Sequence, residues 1–114
     1  MHRRYRLTSS TDFQRVRRSG RSHAHPLAVL IASPSEFDTP RFGIAAGRAL
    51  GSAVHRNRAK RRLREALRPL IPLVSGKWDV VLIARAPLLD AEFDELSRTV
   101  RLLLERAKLI AKDQ

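Results

Sequence analysis

Two short runs of apolar residues constrain the fold of this chain more than any other feature. Leu27 to Ala32 and Val80 to Ala84 consist of six and five consecutive apolar residues. Runs of this length are far too short to span a bilayer, and they are typical of strands that are covered on both faces. The sequence therefore predicts a sheet whose two faces are both packed against other elements.

Capping and turn residues divide the rest of the chain into further elements. A short helix is predicted over Leu7 to Gly20, with Ser9 or Ser10 as its cap. The other predicted elements are a strand or strand pair over Ser22 to Ser33 interrupted at Pro26, a loop over Pro34 to Pro40, a strand over Arg41 to Gly47, a linker over Arg48 to Val54, a helix over Ser52 to Arg68, a turn over Pro72 to Lys77, a strand over Trp78 to Arg85 and a helix capped by Asp90 that runs to Ala111.

This order predicts an α+β sandwich with helices packed on one sheet, in which residues 41–85 could form a strand–helix–strand crossover. We expect a single domain over residues 1–114, with flexible termini at 1–8 and 112–114. Trp78 is expected in the core, and Asp79 is interpreted as a polar residue at the start of a strand. The last helix has an apolar stripe at three- and four-residue steps, formed by Phe93, Leu96, Val100, Leu103, Ala107 and Ile110.

The charge of the chain is concentrated in its first part. Residues 1–68 hold 16 basic and 4 acidic side chains, a net charge of +12, whereas residues 69–114 hold 7 of each. Arg accounts for 19 of the 23 basic residues, and its planar guanidinium can bind phosphate through two hydrogen bonds and stack on bases. This distribution favours a nucleic-acid partner over an anionic membrane or an acidic protein.

Residues 56–68 carry the densest charge, with 7 basic residues and one acidic residue, Glu65. On a helical projection at ~100° per residue, the cations and Asn57 form a polar arc beside a narrow apolar stripe. The stripe consists of Ala59, Leu63, Ala66, Leu67 and Leu70. Like charges four residues apart repel on a helix, so a helix that is merely solvated would alternate its signs. The arc therefore predicts a phosphate-binding helix, without distinguishing RNA from DNA.

The stretch around this helix resembles a known family. Residues 50–64, LGSAVHRNRAKRRLR, are similar to the signature of the bacterial ribonuclease P protein, whose pattern is matched at Ala53, Arg56, Asn57, Lys60, Arg61 and Arg64. Ala59 departs from the pattern, since the family usually carries a larger aliphatic residue there. The resemblance extends over nearly the whole chain, through Arg6-Leu7, Asp12-Phe13, Gly20, Arg41 to Ile44, and Asp79 to Arg85 with Pro87.

The resemblance implies a fold, an activity and partners. The fold is an α-β-β-β-α-β-α sandwich with a left-handed β-α-β crossover, the ribonuclease P protein and ribosomal protein S5 domain 2-like fold, against the usual right-handed preference. The implied function is that of a cytoplasmic protein subunit of ribonuclease P, which assists removal of the 5′ leader from precursor tRNA. The implied partners are the catalytic RNA and precursor tRNA, with no membrane and no small-molecule substrate.

The resemblance also implies two RNA surfaces. The surface for the catalytic RNA maps to Arg48, Arg56, Asn57, Arg58, Lys60, Arg61, Arg64 and Arg68. A cleft for the single-stranded leader maps to Phe13, Arg17, Val29 and Ile31. Because Arg17 and Ile31 stand where relatives can carry aromatic residues, we expect leader binding to depend less on base stacking, which contributes ~1–3 kcal/mol per base, and more on charge.

The sequence offers little for catalysis by the protein itself. Cleavage of a phosphodiester by protein needs a carboxylate-bound metal pair or a histidine acid and base, and the carboxylates of the basic part share no motif. His23 and His25 could share a strand face, and His55 adjoins the basic helix, where a phosphate contact is the preferred interpretation. We therefore expect no catalytic protein residue and no protein-bound metal, with Mg²⁺ held by the RNA and substrate phosphates.

Three rival functions remain open at this point. A ribosomal protein of similar size would share the basic arc without needing a leader cleft. A regulator of double-stranded DNA could use residues 56–68 as a recognition helix, although no partner helix precedes it across a tight turn. A binder of anionic membranes is disfavoured because the apolar stripe is narrow and lacks interfacial aromatic residues.

Overall fold

The computed structural model describes residues 5–112 and arranges them around a four-stranded sheet. The α-helices are α1 (Ser10–Ser19), α2 (Ala53–Leu67) and α3 (Phe93–Arg106), and the strands are β1 (Arg21–Ala24), β2 (Ala28–Pro34), β3 (Arg41–Ala46) and β4 (Trp78–Ala84). Short 3-10 segments lie at Arg48–Leu50, Arg68–Leu73 and Ala86–Asp90. The predicted order α-β-β-β-α-β-α and the α+β class are confirmed.

The strands lie in the order β1-β2-β4-β3. The pairs β1–β2 and β2–β4 are antiparallel, whereas β3 and β4 are parallel, with Phe42 opposite Val80. Helix α2 connects the two parallel strands, so the crossover predicted within residues 41–85 is confirmed. Its left-handed sense stays a prediction from the resemblance.

The sheet is packed on both faces, as its apolar runs predict. In β4, Val80, Leu82 and Ala84 belong to the larger core cluster, which they share with residues of α2 and α3. The alternate residues Val81 and Ile83 face a smaller cluster that includes Val16 of α1. Helix α1 therefore covers one face of the sheet, and α2 and α3 cover the other.

The prediction of a flexible segment over residues 1–8 is wrong for its last part. Arg6 pairs with Phe42 beside β3, the backbone N–H of Leu7 donates to the Phe42 carbonyl at 2.8 Å, and Leu7 is only 2% exposed. Leu7 also precedes α1, which begins at Ser10 with Ser9 as its cap. Leu7 belongs to the smaller core cluster beneath α1, and its burial anchors the segment to the sheet. Residues 1–4, 113 and 114 lie outside the described residues.

The prediction for the last helix is correct in kind but wrong at both ends. Asp90 does not cap α3, because the buried Leu88 holds residues 86–90 in a 3-10 turn and the helix begins at Phe93. At the other end Lys108 adopts a φ of 61°, which turns the chain back so that Leu109 and Ile110 are buried outside the helix.

Both aromatic residues expected in the core lie at its margin. Phe93, the first residue of α3, is 41% exposed, so its assignment to the buried stripe is wrong. Trp78, the first residue of β4, is only partly buried against the larger core cluster. Each stands at the end of its element, where fewer neighbours cover a large side chain.

Candidate nucleic-acid interface

Helix α2 is held on the sheet by its apolar stripe. Ala59, Leu63, Ala66 and Leu67 are buried, as predicted. At the start of the helix, Gly51 has a φ of 100°, which a residue with a side chain rarely adopts, and Ser52 Oγ accepts a hydrogen bond from the His55 backbone N–H at 3.4 Å. The glycine turn and the cap fix where the helix begins, and the buried stripe directs the polar arc away from the sheet.

Most residues predicted to contact RNA lie on this outward surface of α2, and Arg48 and Arg68 lie in the 3-10 segments that flank the helix. Arg48, Asn57, Arg58, Arg61 and Arg68 are exposed, and Arg56, Lys60 and Arg64 are partly exposed. Among residues 5–112, the ion pairs involve the carboxylates of Asp12, Asp38 and Asp79, and none of them includes a cation of α2. The cations of the arc are therefore not neutralised by carboxylates in this part of the chain.

Arg62 is the exception among the cations of α2. Its guanidinium donates hydrogen bonds to the carbonyl oxygens of Leu88 and Ala91, each at 2.5 Å, and to that of Leu89 at 3.4 Å. These carbonyls belong to the 3-10 turn before α3 and to the residue that follows it. Arg62 thus joins α2 to the start of α3. The helical projection missed this role because it does not show which carbonyls lie beside the helix.

Three of the four predicted leader-cleft residues lie around a partly open apolar surface beside α1. Phe13 and Val29 are half-buried on the smaller core cluster together with Ile83, and Arg17 is exposed on α1. Ile31 differs from the prediction, since it is 7% exposed and packs beneath α1 with Val16 and Val81. Ile31 therefore supports α1 from beneath and does not line a cleft. Ile83 of β4 lies in the partly open apolar surface instead.

A groove of about 260 Å³ runs around the outer edge of β3 and links the two predicted surfaces. Phe13 of α1 and Arg64 of α2 both line it. Arg6, Leu7 and Thr8 complete its wall, which the prediction of a flexible N-terminus had overlooked. The cationic surface of α2 is therefore continuous with the apolar surface beside α1.

Asp79 in β4 is a buried carboxylate bound by two arginines. It is 1% exposed and accepts hydrogen bonds from Arg41 Nε at 2.9 Å, from Arg41 Nη2 at 2.8 Å and from Arg15 Nη2 at 2.5 Å. Burial alone would raise the pKa of Asp79, but the hydrogen bonds from Arg41 and Arg15 outweigh it and hold the pKa below 3.8. The pKa of Arg15 is raised, mainly by its bond to Asp79.

The sequence signal for this site is one acidic residue at the start of an otherwise apolar strand. Reading Asp79 only as a polar residue at a strand start missed its two arginine partners. They lie 38 and 64 residues away along the chain, so sequence spacing does not reveal them.

The histidines do not form a pair. Strand β1 ends at Ala24, so His25 lies beyond the strand that contains His23, and His25 Nδ1 accepts a hydrogen bond from the Leu27 backbone N–H at 3.1 Å. His55 is exposed at the start of α2, with Nδ1 3.3 Å from Ser52 Oγ. Within residues 5–112 no three metal-binding side chains cluster.

The match to known proteins decides between the rival functions. The family model described as Ribonuclease P matches residues 1–108. The chain belongs to the ribonuclease P protein family. It is 49% identical over 114 residues to the ribonuclease P protein component of Symbiobacterium thermophilum, covering 99% of each chain. It is 42% identical over 109 residues to that of Herpetosiphon aurantiacus, covering 96% of this chain and 89% of the relative.

The fold agrees with this membership. The solved structure of the Staphylococcus aureus RNase P protein superimposes with a TM-score of 0.83 at 32% identity, covering 93% of this chain and 97% of the other. The protein is accordingly a subunit of ribonuclease P, the ribonucleoprotein endoribonuclease that matures the 5′ end of tRNA, and it works with the ribonuclease P RNA and precursor tRNA. The ribosomal, DNA-binding and membrane-binding alternatives are set aside. No helix within residues 5–112 has the length and apolarity needed to cross a membrane.

Proposed function

We propose that the subunit binds its two RNA partners through two adjoining surfaces. The outer surface of α2 with the preceding linker binds the catalytic RNA, and the apolar surface beside α1 binds the single-stranded 5′ leader of precursor tRNA. The observation that supports this division best is the outward array of cations on α2, which no ion pair among residues 5–112 neutralises.

The surface for the catalytic RNA is suited to phosphate by its chemistry. Exposed guanidinium groups bind phosphate through two hydrogen bonds, and each neutralised phosphate releases counterions, with a log–log salt slope of about −0.7 to −0.9 per contact. Asn57 can add hydrogen bonds to a base or a 2′-hydroxyl. The contacts assigned to the catalytic RNA are Arg48, Arg56, Asn57, Arg58, Lys60, Arg61, Arg64 and Arg68.

The leader surface combines one aromatic residue, aliphatic residues and a cation. Phe13 provides a ring on which one base can stack, Val29 and Ile83 provide the apolar floor, and Arg17 provides a positive charge on α1. Ile31 acts from below by supporting α1. With one stacking side chain in this set, the leader depends strongly on charge, which makes its binding sensitive to salt.

The chemical step belongs to the RNA in this proposal. Mg²⁺ is held by the catalytic RNA and by substrate phosphates. On the protein, the carboxylates of Asp12 and Asp79 share Arg15 and Arg41 as ion-pair partners and are occupied by them. The protein screens the repulsion between RNA phosphates and positions the leader. We place this activity in the cytoplasm, where precursor tRNA is made in bacteria.

Reconstitution tests the proposal directly. The protein is added to the matching catalytic RNA at low Mg²⁺ concentration, and release of the leader from precursor tRNA is measured. Stimulation is expected for the wild-type protein and not for Arg56→Ala/Arg61→Ala. The matched control is Arg98→Ala/Arg106→Ala, which removes the same charge from exposed positions of α3. Equal stimulation by all three proteins would contradict the assignment of α2.

A further inference from the structure

Helix α1 has few apolar contacts that fix its position on the sheet. Val16 is its one fully buried residue, and Phe13 lies so close to Gly43 that a Cβ at that glycine would come 2.3 Å from Phe13 Cζ. A helix of ten residues is not stable by itself and takes its stability from packing. Its orientation therefore depends on the remaining contacts, and the shortest of these is the bond from Arg15 to Asp79.

This bond belongs to a network that joins three elements. Arg15 comes from α1, Asp79 from β4 and Arg41 from β3. Asp12 of α1 closes the network, with its carboxylate 3.4 Å from Arg15 and 3.6 Å from Arg41. We call these four residues the arginine clamp. Arg41 is further restrained because its guanidinium lies 3.9 Å from the centre of the Phe37 ring.

The arginine clamp and the open apolar surface lie on opposite sides of α1. Asp79, Val81 and Ile83 point to the same face of the sheet, because side chains of a strand alternate, and each is roughly 7 Å from the next. Asp79 is bound to α1, Val81 is buried beneath it, and Ile83 is only partly covered. A shift or rotation of α1 about Val16 therefore changes how much of the Ile83 side chain is covered and where the Phe13 ring lies.

We propose that Asp79 is a positioning residue for leader recognition: through Arg15 and Arg41 it fixes where α1 lies on the sheet and so sets the geometry of the leader surface. This inference rests on the proposed leader surface beside α1. Buried ionic networks contribute little net stability compared with apolar packing, but they can select one arrangement of elements. Among the described residues, no side-chain hydrogen bond or ion pair joins the arginine clamp to a predicted leader residue, so its effect is transmitted through the position of α1.

The test compares Asp79→Asn and Arg15→Met in the reconstituted holoenzyme with precursor and mature tRNA. Each variant is expected to reduce the preference for precursor over mature tRNA by about fivefold, equivalent to ~1 kcal/mol. The KM for precursor should rise with an unchanged kcat, since the chemical step stays in the RNA. Affinity for the catalytic RNA should be unchanged, because α2 packs on the other face of the sheet. Arg15→Lys, which keeps the charge and one hydrogen bond, should restore most of the preference.

The sign of the Asp79→Asn effect separates positioning from bulk electrostatics. This substitution removes a negative charge, so electrostatics alone would strengthen RNA binding, whereas loss of positioning weakens leader binding. Asp38→Asn is the matched control, because it makes the same change of charge at an exposed carboxylate whose nearest cation is Lys77 at 3.7 Å. It should leave the precursor preference at the wild-type value.

Arg15→Met keeps the test decisive if Asp79→Asn fails to fold, since the Arg15 side chain is 37% exposed and tolerates replacement. Val29→Glu, which places a negative charge on the leader surface, separates the two proposals. If Val29→Glu lowers the precursor preference and both clamp variants leave it unchanged, the inference about Asp79 is wrong. If Val29→Glu also has no effect, the leader surface itself is wrongly assigned.

Discussion

The outer surface of α2 and the arginine clamp are both rich in arginine, yet they use it in opposite ways. On α2 the guanidinium groups of Arg56, Arg58 and Arg61 meet no carboxylate among the described residues. In the clamp, Arg15 and Arg41 are bound to a carboxylate that is 1% exposed. The difference shows that the partner of an arginine, and not its presence in a basic segment, determines whether it is available to RNA.

The same contrast occurs within α2 itself. Arg61 and Arg62 are adjacent in the sequence, but Arg61 is exposed, whereas Arg62 donates to the carbonyls of Leu88 and Ala91. Because neighbours on a helix are about 100° apart, one of them faces solvent and the other faces α3. Two identical side chains therefore differ in role: Arg62 joins α2 to the start of α3, and Arg61 is one of the proposed contacts to the catalytic RNA.

The largest expected effect is the loss of stability when Arg62 is replaced. Arg62→Ala leaves carbonyl oxygens of the 3-10 turn without their charged donor, and hydrogen bonds to charged groups contribute ~1.5–3 kcal/mol each. We expect the free energy of unfolding to fall by ~2–3 kcal/mol, as measured by urea denaturation. Arg61→Ala is the control and should stay within about 0.5 kcal/mol of wild type. Similar losses in the free energy of unfolding for Arg62→Ala and Arg61→Ala would contradict the assignment of a structural role to Arg62 alone.

The second prediction concerns affinity for the catalytic RNA. Arg56→Ala/Arg61→Ala should lower the log–log salt slope by about 2 and weaken binding roughly 30-fold at 0.1 M salt. Binding is measured over a range of salt concentrations with the isolated catalytic RNA. An unchanged slope would place the RNA surface elsewhere on the protein.

The third prediction concerns the leader surface. Phe13→Ala removes the one aromatic ring assigned to that surface, and base stacking contributes ~1–3 kcal/mol, so affinity for precursor tRNA should fall about tenfold. Mature tRNA, which lacks the leader, should bind as it does to wild type. Equal losses for the two RNAs would show that Phe13 acts on α1 or on the whole fold.

The smallest effect is the change with pH in the stability that the arginine clamp contributes, and this change occurs only in acid. The pKa of Asp79 is below its ordinary value of 3.8 in the folded protein, so the ionised carboxylate stabilises the fold. That contribution is complete above the unfolded pKa and is lost as the pH falls through the folded pKa. The difference in free energy of unfolding between wild type and Asp79→Asn should therefore be constant near neutrality and shrink below about pH 4. A difference that persists unchanged in acid would mean that the charge of Asp79 does not stabilise the fold.

Most of the fold could be predicted because its signals are local. The helical stripe of Ala59, Leu63, Ala66 and Leu67 and the apolar run of β4 are readable from neighbouring residues, and both are buried as expected except for the partly open Ile83. The errors fall where distant residues decide the outcome. Leu7 is held by Phe42, and Leu88 shortens the start of α3, and neither contact has a local signal.

For the candidate site, the arc of α2 could be predicted and the role of each arginine could not. A helical projection shows which direction a side chain points, and that was sufficient to predict that Arg58 and Arg61 are exposed. It does not show what lies in that direction, so the carbonyl contacts of Arg62 and the burial of Ile31 beneath α1 required the folded chain.

The amino-acid sequence by itself determined the element order, the two-sided sheet and the concentration of positive charge on one helix, because periodicity and composition act over a few residues. Only the tertiary structure decided which charges are neutralised, since Arg15 and Arg41 reach Asp79 from positions 64 and 38 residues away. The energy of an ion pair depends on the distance and burial of its members, and both are properties of the folded chain.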